Sequence, residues 1–503
     1  MVPLRGALWV PDAALFRTLH APGKSIGVRL DLADPGWDPA DLAESLAPSG
    51  NAYLLETAGG PPDLARRVIL AWQPEREYVL RGARLETWSA GRRQHSVRSA
   101  SPLADLRAVL AAEGATPVPY ADGFGGGLIG YVAYDFKNRL ERLPDTVTDD
   151  LGLPEFRFGF VRRVLVWDRA ASTLSLRTSV RCGTEPRQDY ERARTELRIL
   201  WGEVQRAAAA KRPTQPATTR RPAAPAELQS NLTRAEYDQM LARCQEHILA
   251  GDIYQANLSH RFSAPFAGRG IDLYRRLRAI NPSPFAAYLR FHEHEIVSCS
   301  PERLVQVEHG RVETRPIAGT RPRVDERHAD RRLQRDLLAS EKERAEHLMI
   351  VDMARNDIGR VCEAGSVAVD SFMHVEAYSH VHHLVSRVTG KLQSGADAFD
   401  LLAATFPGAS ITGVPKVRCM EIVDALEPVR RGVYTGSAGY IGLDGSMDFN
   451  ILIRTFLVQQ GQAYFHVGGG IVADSKPEHE YQETLAKGRA LCEALASVEG
   501  RVP

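Results

Sequence analysis

The segment Glu313 to Arg323, ETRPIAGTRPR, sets Arg315 before a Gly-Thr step and Arg321 and Arg323 after it, with Ala318 at its centre. Cations so placed suit an anion, because a guanidinium can donate two parallel hydrogen bonds to a carboxylate. Two other stretches carry the opposite charge. EKERAEHLMIVD puts Glu343 and Glu346 three residues apart, and PEHEYQETLAKGRA does the same with Glu480 and Glu483. On helices each pair shares a face, and four carboxylates from two helices suit a hard cation that prefers oxygen, Mg²⁺ first. The same spacing also describes an ordinary solvated helix face.

Further candidates follow along the chain. VGGGIVAD places Gly468, Gly469 and Gly470 at the end of a strand, where glycine lets backbone N–H groups approach a ligand closely. Arg454 interrupts the apolar strand NILIRTF, and a charge in such a run needs a partner. Tyr434, in RRGVYTGSAGY, adds a hydroxyl. SHVHHLVS carries His380, His382 and His383. The spacing is not HExxH and no nearby cysteine completes a zinc set, so these read as core histidines, one of them available for proton transfer.

Elements must hold these groups in place. Thr233 and Glu236 in TRAE form a capping box that opens a helix. Its apolar stripe is Tyr237, Leu241, Cys244 and Ile248, and Gly251 ends it. Residues 205–229, rich in Ala, Pro, Thr and Arg, read as a linker between an N-terminal region, 1–204, and a catalytic domain, 230–497. The first region holds β-like stretches such as YVLRGARLETWS and VLVWDRAASTLSLRTSV. Its glycine-rich ADGFGGGLIGYVAYD reads as a tight turn, since no Gly-Lys-Ser/Thr follows to make a P-loop. Beyond residue 250, helices alternate with short apolar strands (HEIVSCS, GYIGLDG, AYFHVGGGIVA). The expected class is α+β, with large mixed sheets and helices packed outside, rather than a βαβ dinucleotide fold.

Bulk properties narrow the partners. The 503 residues carry a formal charge of +1, which favours neither nucleic acid nor an anionic membrane. No apolar run approaches the ~20 residues of a membrane helix. Arg5 and Asp12 break the pattern of a signal-peptide core. The six cysteines are scattered, without a CxxC pair, and read as buried reduced thiols. A cytoplasmic location is expected.

Taken together, GDIYQANLSHRF, SCSPERL, ETRPIAGTRPR, KERAEHLMIVDMARNDIGRV, YSHVHHLVS, FPGASITGVPKVRCMEIVDALEPVRRGVYTG, MDFNILIRT and GGGIVADSKPEHEYQETLAKG resemble the chorismate-utilising enzymes, across residues 230–495 almost without a break. The resemblance implies a fold of two large mixed β-sheets packed as a sandwich with helices outside. It implies Mg²⁺ as cofactor, held by Glu346 and Glu483 with Glu343 and Glu480 in close support. Tyr434, Arg454, Gly468, Gly469, Gly470 and Lys487 would bind the anionic groups of chorismate, and Gly319 and Thr320 would line its ring. His383 and Glu302 would stand near the departing C4 hydroxyl, with Gln255 and Thr412 also at the reacting centre.

Isochorismate and salicylate synthases carry a water-activating lysine where this chain has Gln255. An amide cannot serve as that base near neutral pH, so the resemblance is to the aminating members. ASITGVPK, GGGIVADS and Asn257 in YQANL look like aminodeoxychorismate synthase component I, which makes 4-amino-4-deoxychorismate on the route to 4-aminobenzoate and folate. NPSP and Ala318 look like anthranilate synthase component I, the alternative; many aminodeoxychorismate synthases have a nucleophilic lysine at the position of Ala318. Both families take ammonia from a glutamine amidotransferase subunit, so a heterodimer is expected. Anthranilate synthases use a segment related to AYLLETAGG for tryptophan feedback.

Overall fold

The computed structural model describes residues 7–61, 64, 67–116, 123–210, 228–378 and 381–499. Within them twelve helices surround two large sheets, one of 14 strands and one of 12. Pairing is antiparallel throughout except where Ser25–Ala33 meets the short Ala115–Thr116 strand, so the expected mixed sheets are almost wholly antiparallel. The architecture is an α+β sandwich.

Three hydrophobic clusters show why the layers form. Tyr53, Ile69, Val166 and Leu289 of the first sheet meet Ile129, Tyr131 and Tyr440 of the second, filling the space between them. The outer face of the first sheet is covered by apolar stripes of helices Pro186–Ala209, Gly270–Ile280 and Pro477–Glu499. That of the second is covered by Pro102–Glu113, Glu341–Gly359 and Ala398–Thr405. A fourth cluster packs Arg234–Leu249 and Lys416–Leu426 over the strands that carry the glycine run.

The division at residues 204 and 230 is not a division of the sheets. Ala52–Glu56 pairs with Phe285–Arg290 in the first sheet, with Glu56 opposite Ala286. Gly127–Val132 pairs with Ser437–Gly442 in the second. The glycine-rich stretch read as a turn therefore contains this central strand, its residues 127–132. Its glycines allow close approach: a Cβ on Gly130 would lie 2.0 Å from the Arg157 carbonyl oxygen. Of the linker, residues 205–209 finish the Pro186–Ala209 helix and Gln229–Ser230 pair as a strand, while 211–227 lie outside the described residues.

Helix Arg234–Leu249 starts as its capping box requires. The Glu236 amide donates to Thr233 Oγ1 at 3.3 Å and the Thr233 amide to Glu236 Oε2 at 2.7 Å, an arrangement that contributes about 1 kcal/mol. Tyr237, Leu241 and Cys244 are buried, Ile248 partly so. All six cysteines are free thiols, five of them buried. Among the described residues no helix is long and apolar enough to cross a membrane.

Candidate active site

The glycine run lies in strand Gln462–Ile471, with Asn257 opposite Gly470 and Ser259 opposite Gly468 on Gln255–Pro265. What surrounds it is given by what a side chain there would strike. A Cβ on Gly470 would sit 2.2 Å from Gln255 Nε2, and glycine leaves that amide room to donate to Glu346 Oε1 at 2.7 Å. One on Gly469 would face Glu480 Oε2 at 3.6 Å and Glu483 Oε1 and Lys487 Nζ at 3.9 Å. On Gly468 it would meet the Tyr434 hydroxyl at 2.8 Å and Asn257 Oδ1 at 3.0 Å. The strand thus brings both acidic helices, Glu341–Gly359 and Pro477–Glu499, to one place together with Tyr434.

Each of the four glutamates has a local partner. Glu346 accepts from Gln255, Glu343 pairs with Arg321 at 3.0 Å, Glu480 accepts from Ser475 at 2.7 Å, and Glu483 pairs with Lys487 at 2.8 Å. Burial, reinforced by Glu343, pushes the Glu346 carboxyl above the usual range despite Gln255. Burial acts the same way on Glu483, but Lys487 more than offsets it and holds that group low. No three of these carboxylates bring oxygens within 4.8 Å of one another; among the described residues the one trio of ligand-type atoms that close is a ring nitrogen of His20, the Cys182 thiol and an Asp189 oxygen. The donor set is all oxygen, and Glu346 bears an uncompensated charge beside Glu343, which a divalent cation would relieve. On these grounds the residues fit Mg²⁺.

The opposite end is buried. Glu302 lies between strands His294–Ser300 and Arg303–Glu308, 6% exposed. The Ser410 hydroxyl donates to Glu302 Oε1 at 2.7 Å. Burial raises the Glu302 carboxyl to about 7, although Ser410, Arg454 and the Ile317 amide oppose the shift. A group that holds its proton at neutral pH is placed to give it away. His383 behaves in the opposite sense. Burial, then the charge of Arg454, depresses it to about 3. Its Nδ1 lies 3.2 Å from the Gly319 carbonyl, which can only accept, so Nδ1 carries the hydrogen. Nε2 is then a bare acceptor, buried and without a protein partner. Of the two groups expected to protonate the leaving oxygen, Glu302 is poised to carry a proton near neutrality, whereas His383 is held neutral.

Arg454 does not lie inside a strand. It sits just before Thr455–Gln459 with φ +52°, and its Nη1 reaches Asn281 Oδ1 at 3.4 Å. Among the described residues it has no carboxylate within 4.0 Å, and burial lowers its pKa below the usual value. That leaves a desolvated guanidinium free for an anion. Tyr434 is buried and stacked on His466 at 5.1 Å. Burial keeps its phenol protonated, with Arg431 opposing. Gly319, at φ +70°, makes a bulge opposite Val381–Lys391, and a Cβ there would lie 2.8 Å from Glu343 Oε2. Thr320 Oγ1 is 3.1 Å from His383 Nδ1.

Some expectations change. The arginines of the opening segment answer the protein's own groups: Arg315 pairs with buried Glu376, Arg321 with Glu343, and Arg323 donates to the Tyr378 carbonyl at 3.0 Å. Thr412 is fully buried and donates its hydroxyl hydrogen to the Gly408 carbonyl at 2.8 Å, so that hydroxyl could meet a ligand only as an acceptor. Lys487 donates to the Gly468 carbonyl at 3.0 Å besides pairing with Glu483. The histidines separate: His382, adjacent in the strand, points the other way to Asp330 at 2.8 Å, and His380 is outside the described residues. Sequence reasoning missed Ser410; its place two residues before Thr412, in a motif already singled out, was the available signal. Leu55, Glu56 and Thr57 of AYLLETAGG line a separate cavity of about 280 Å³, together with Phe285, Tyr440 and Asn450.

Residues 51–493 match the chorismate binding enzyme family. Anthranilate synthase component 1 of Streptomyces coelicolor is 44% identical over 403 residues, 79% of this chain and 78% of its own. Aminodeoxychorismate synthase component 1 of Salmonella typhimurium is 41% identical over 455 residues, 90% of this chain and 95% of its own. The crystal structure of anthranilate synthase component I from Streptococcus pneumoniae superposes with a TM-score of 0.73 at 33% identity, covering 85% of this chain and 92% of that one. With a match that covers the whole second sheet, all but two strands of the first and every residue of the candidate site, this chain belongs to the chorismate binding enzyme family.

Proposed function

We propose that the chain is component I of an aminodeoxychorismate synthase, which converts chorismate and ammonia to 4-amino-4-deoxychorismate for 4-aminobenzoate and folate synthesis. The observation that carries amination is Gln255: its amide is tied to Glu346 where a water-activating enzyme needs a base. TGVPK and GGGIVADS favour amination at C4 over C2. At Gly469, where anthranilate synthases typically have alanine, this chain presents no Cβ to Glu480 and Glu483.

Glu346 and Glu483, with Glu343 and Glu480 behind them, would hold Mg²⁺, which when bound supplies positive charge to the ring carboxylate and polarises the conjugated ring. Arg454 and the Tyr434 phenol would bind the second carboxylate by charge-assisted hydrogen bonds. Glu302 gives its proton to the C4 oxygen, which leaves as water, and His383 Nε2 accepts a hydrogen bond from substrate or incoming nitrogen. Ammonia would come from a glutamine amidotransferase subunit, and ammonium salt should replace that subunit at high concentration.

A second reading rests on Ala318. It is buried opposite Leu384 and offers no amine to attack C2, as in anthranilate synthases, where ammonia itself adds there. Chorismate, Mg²⁺ and ammonium salt decide between them. A product that becomes 4-aminobenzoate only when a lyase is added supports the proposal; immediate pyruvate and anthranilate fluorescence supports the second reading and defeats the first.

A further inference from the structure

Behind Glu302 lies a small cavity of about 30 Å³. That is room for about two waters, given that one needs roughly 10–15 Å³. Two carboxylates share its wall, Glu302 and Asp357, together with Ser410, Thr405, Ala354 and Ile451. Asp357 lies on helix Glu341–Gly359, eleven residues beyond Glu346, and takes no part in the site described above. Its Oδ2 accepts from Lys416 Nζ at 2.6 Å; among the described residues no other group hydrogen-bonds this carboxylate. The pair is 15–16% exposed, so it touches both solvent and the cavity.

An acid as buried as Glu302 must recover its proton after each turnover. Its immediate neighbours cannot supply one. Ser410 and the Ile317 amide are hydrogen-bond donors that keep their hydrogens, Arg454 stays charged, and the Tyr378 hydroxyl is committed to Glu376 at 3.0 Å. The charged groups facing Asp357 are Lys416, from helix Lys416–Leu426, and Arg360, from the end of its own helix.

We propose that Asp357, with Lys416, is the entry of a proton relay that runs through water in this cavity to Glu302. The inference rests on the proposed amination. The step balances without an oxidant. Glu302 protonates the C4 oxygen, the C–O bond breaks, and water leaves as a C–N bond forms. The new ammonium sheds one proton to solvent. One proton from solvent enters at Asp357, and cavity water returns it to Glu302. The account holds whichever ring carbon takes the nitrogen, because the C4 hydroxyl departs in either case. Asp357 acts through Glu302 and does not touch substrate.

The test uses the full chain with chorismate, Mg²⁺ and ammonium chloride. Asp357→Asn should lower kcat about ten-fold, leave KM for chorismate within two-fold, enlarge the solvent deuterium isotope effect, and be partly rescued by formate. Ala354→Leu, which fills the cavity without altering charge, should lower kcat similarly but resist rescue. In a Glu302→Gln background, Asp357→Asn should cost nothing more. Asp357→Asn with wild-type kcat and isotope effect overturns the relay. So does a loss that is additive with Glu302→Gln, insensitive to formate and without an isotope effect, which marks a structural role. Wild-type protein that consumes no chorismate defeats the reaction itself and the relay with it.

Discussion

At one end of the site four glutamates ride on two helices, ranging from buried Glu480 to half-exposed Glu483, each matched to a local hydrogen-bond donor. At the other, Glu302, His383 and Arg454 come from strand ends and loops and are desolvated, and among the described residues His383 Nε2 has no hydrogen-bond partner and Arg454 no carboxylate within 4.0 Å. The acidic end is perturbed mainly at Glu346, whose carboxyl burial and Glu343 push up, while Lys487 holds Glu483 low. The buried end is perturbed at all three groups: an acid raised to near neutrality, an imidazole held neutral, and a guanidinium that among the described residues has no carboxylate beside it. The acids on the helices are placed by helical spacing, whereas the state of Glu302, His383 and Arg454 is set by burial.

The comparison breaks most sharply at the acidic end. Glu346→Gln should lower Mg²⁺-dependent chorismate consumption by about 10³-fold, the loss of several kcal/mol of charge stabilisation, while thermal stability holds or rises because a strained buried carboxylate is gone. Turnover that survives this change, still dependent on Mg²⁺, would remove the metal assignment. Glu302→Gln should cost about 10²–10³-fold in kcat with KM little changed. In the parent enzyme kcat should fall as pH rises through about 7, where Glu302 loses its proton, and the variant should lack that limb. A variant with the same limb would assign it elsewhere.

Arg454→Ala should act on binding, raising KM for chorismate by about 10–100-fold, the worth of one charge-assisted hydrogen-bond pair. Arg454→Lys should recover little, because an ammonium has no fork to offer. An equal effect on kcat alone would argue against a ground-state contact. The smallest effect concerns stability. Burial holds His260 at about 4 and, with Arg157, His294 at about 3. The folded pKa lies below the unfolded value near 6.5, so between the two the unfolded chain binds more protons. Stability is complete above about 6.5 and declines below it, by up to about 1.4 kcal/mol per pH unit for each ring. Denaturant midpoints at pH 7.5 and 5.5 should show the decline, and His294→Phe should shallow it.

The two ends were also unequally legible. Glu343 with Glu346 and Glu480 with Glu483 could be read from spacing, since residues three apart on a helix share a face wherever that helix goes. Thr233 and Glu236 could be read for the same reason, as a cap closes within three residues. The arginines of ETRPIAGTRPR misled, because a cation's sequence neighbours do not reveal Glu376 or Glu343 across the fold. Arg454 was rightly marked as a charge in apolar company, but the backbone break that frees it from the strand was not visible.

The sequence alone determined the local features: helix starts, alternating strands, paired acids, and glycines where a chain must pass closely. It also carried the family resemblance in long ordered motifs. Only the tertiary structure decided that strands from both sides of residues 205–229 interleave in each sheet, that Ser410 meets Glu302, and that Asp357 shares a cavity with that acid. The physical reason is range. Helical and strand periodicity act over a few residues, whereas desolvation and the pKa values it sets depend on atoms that the chain brings together from a hundred or more positions away.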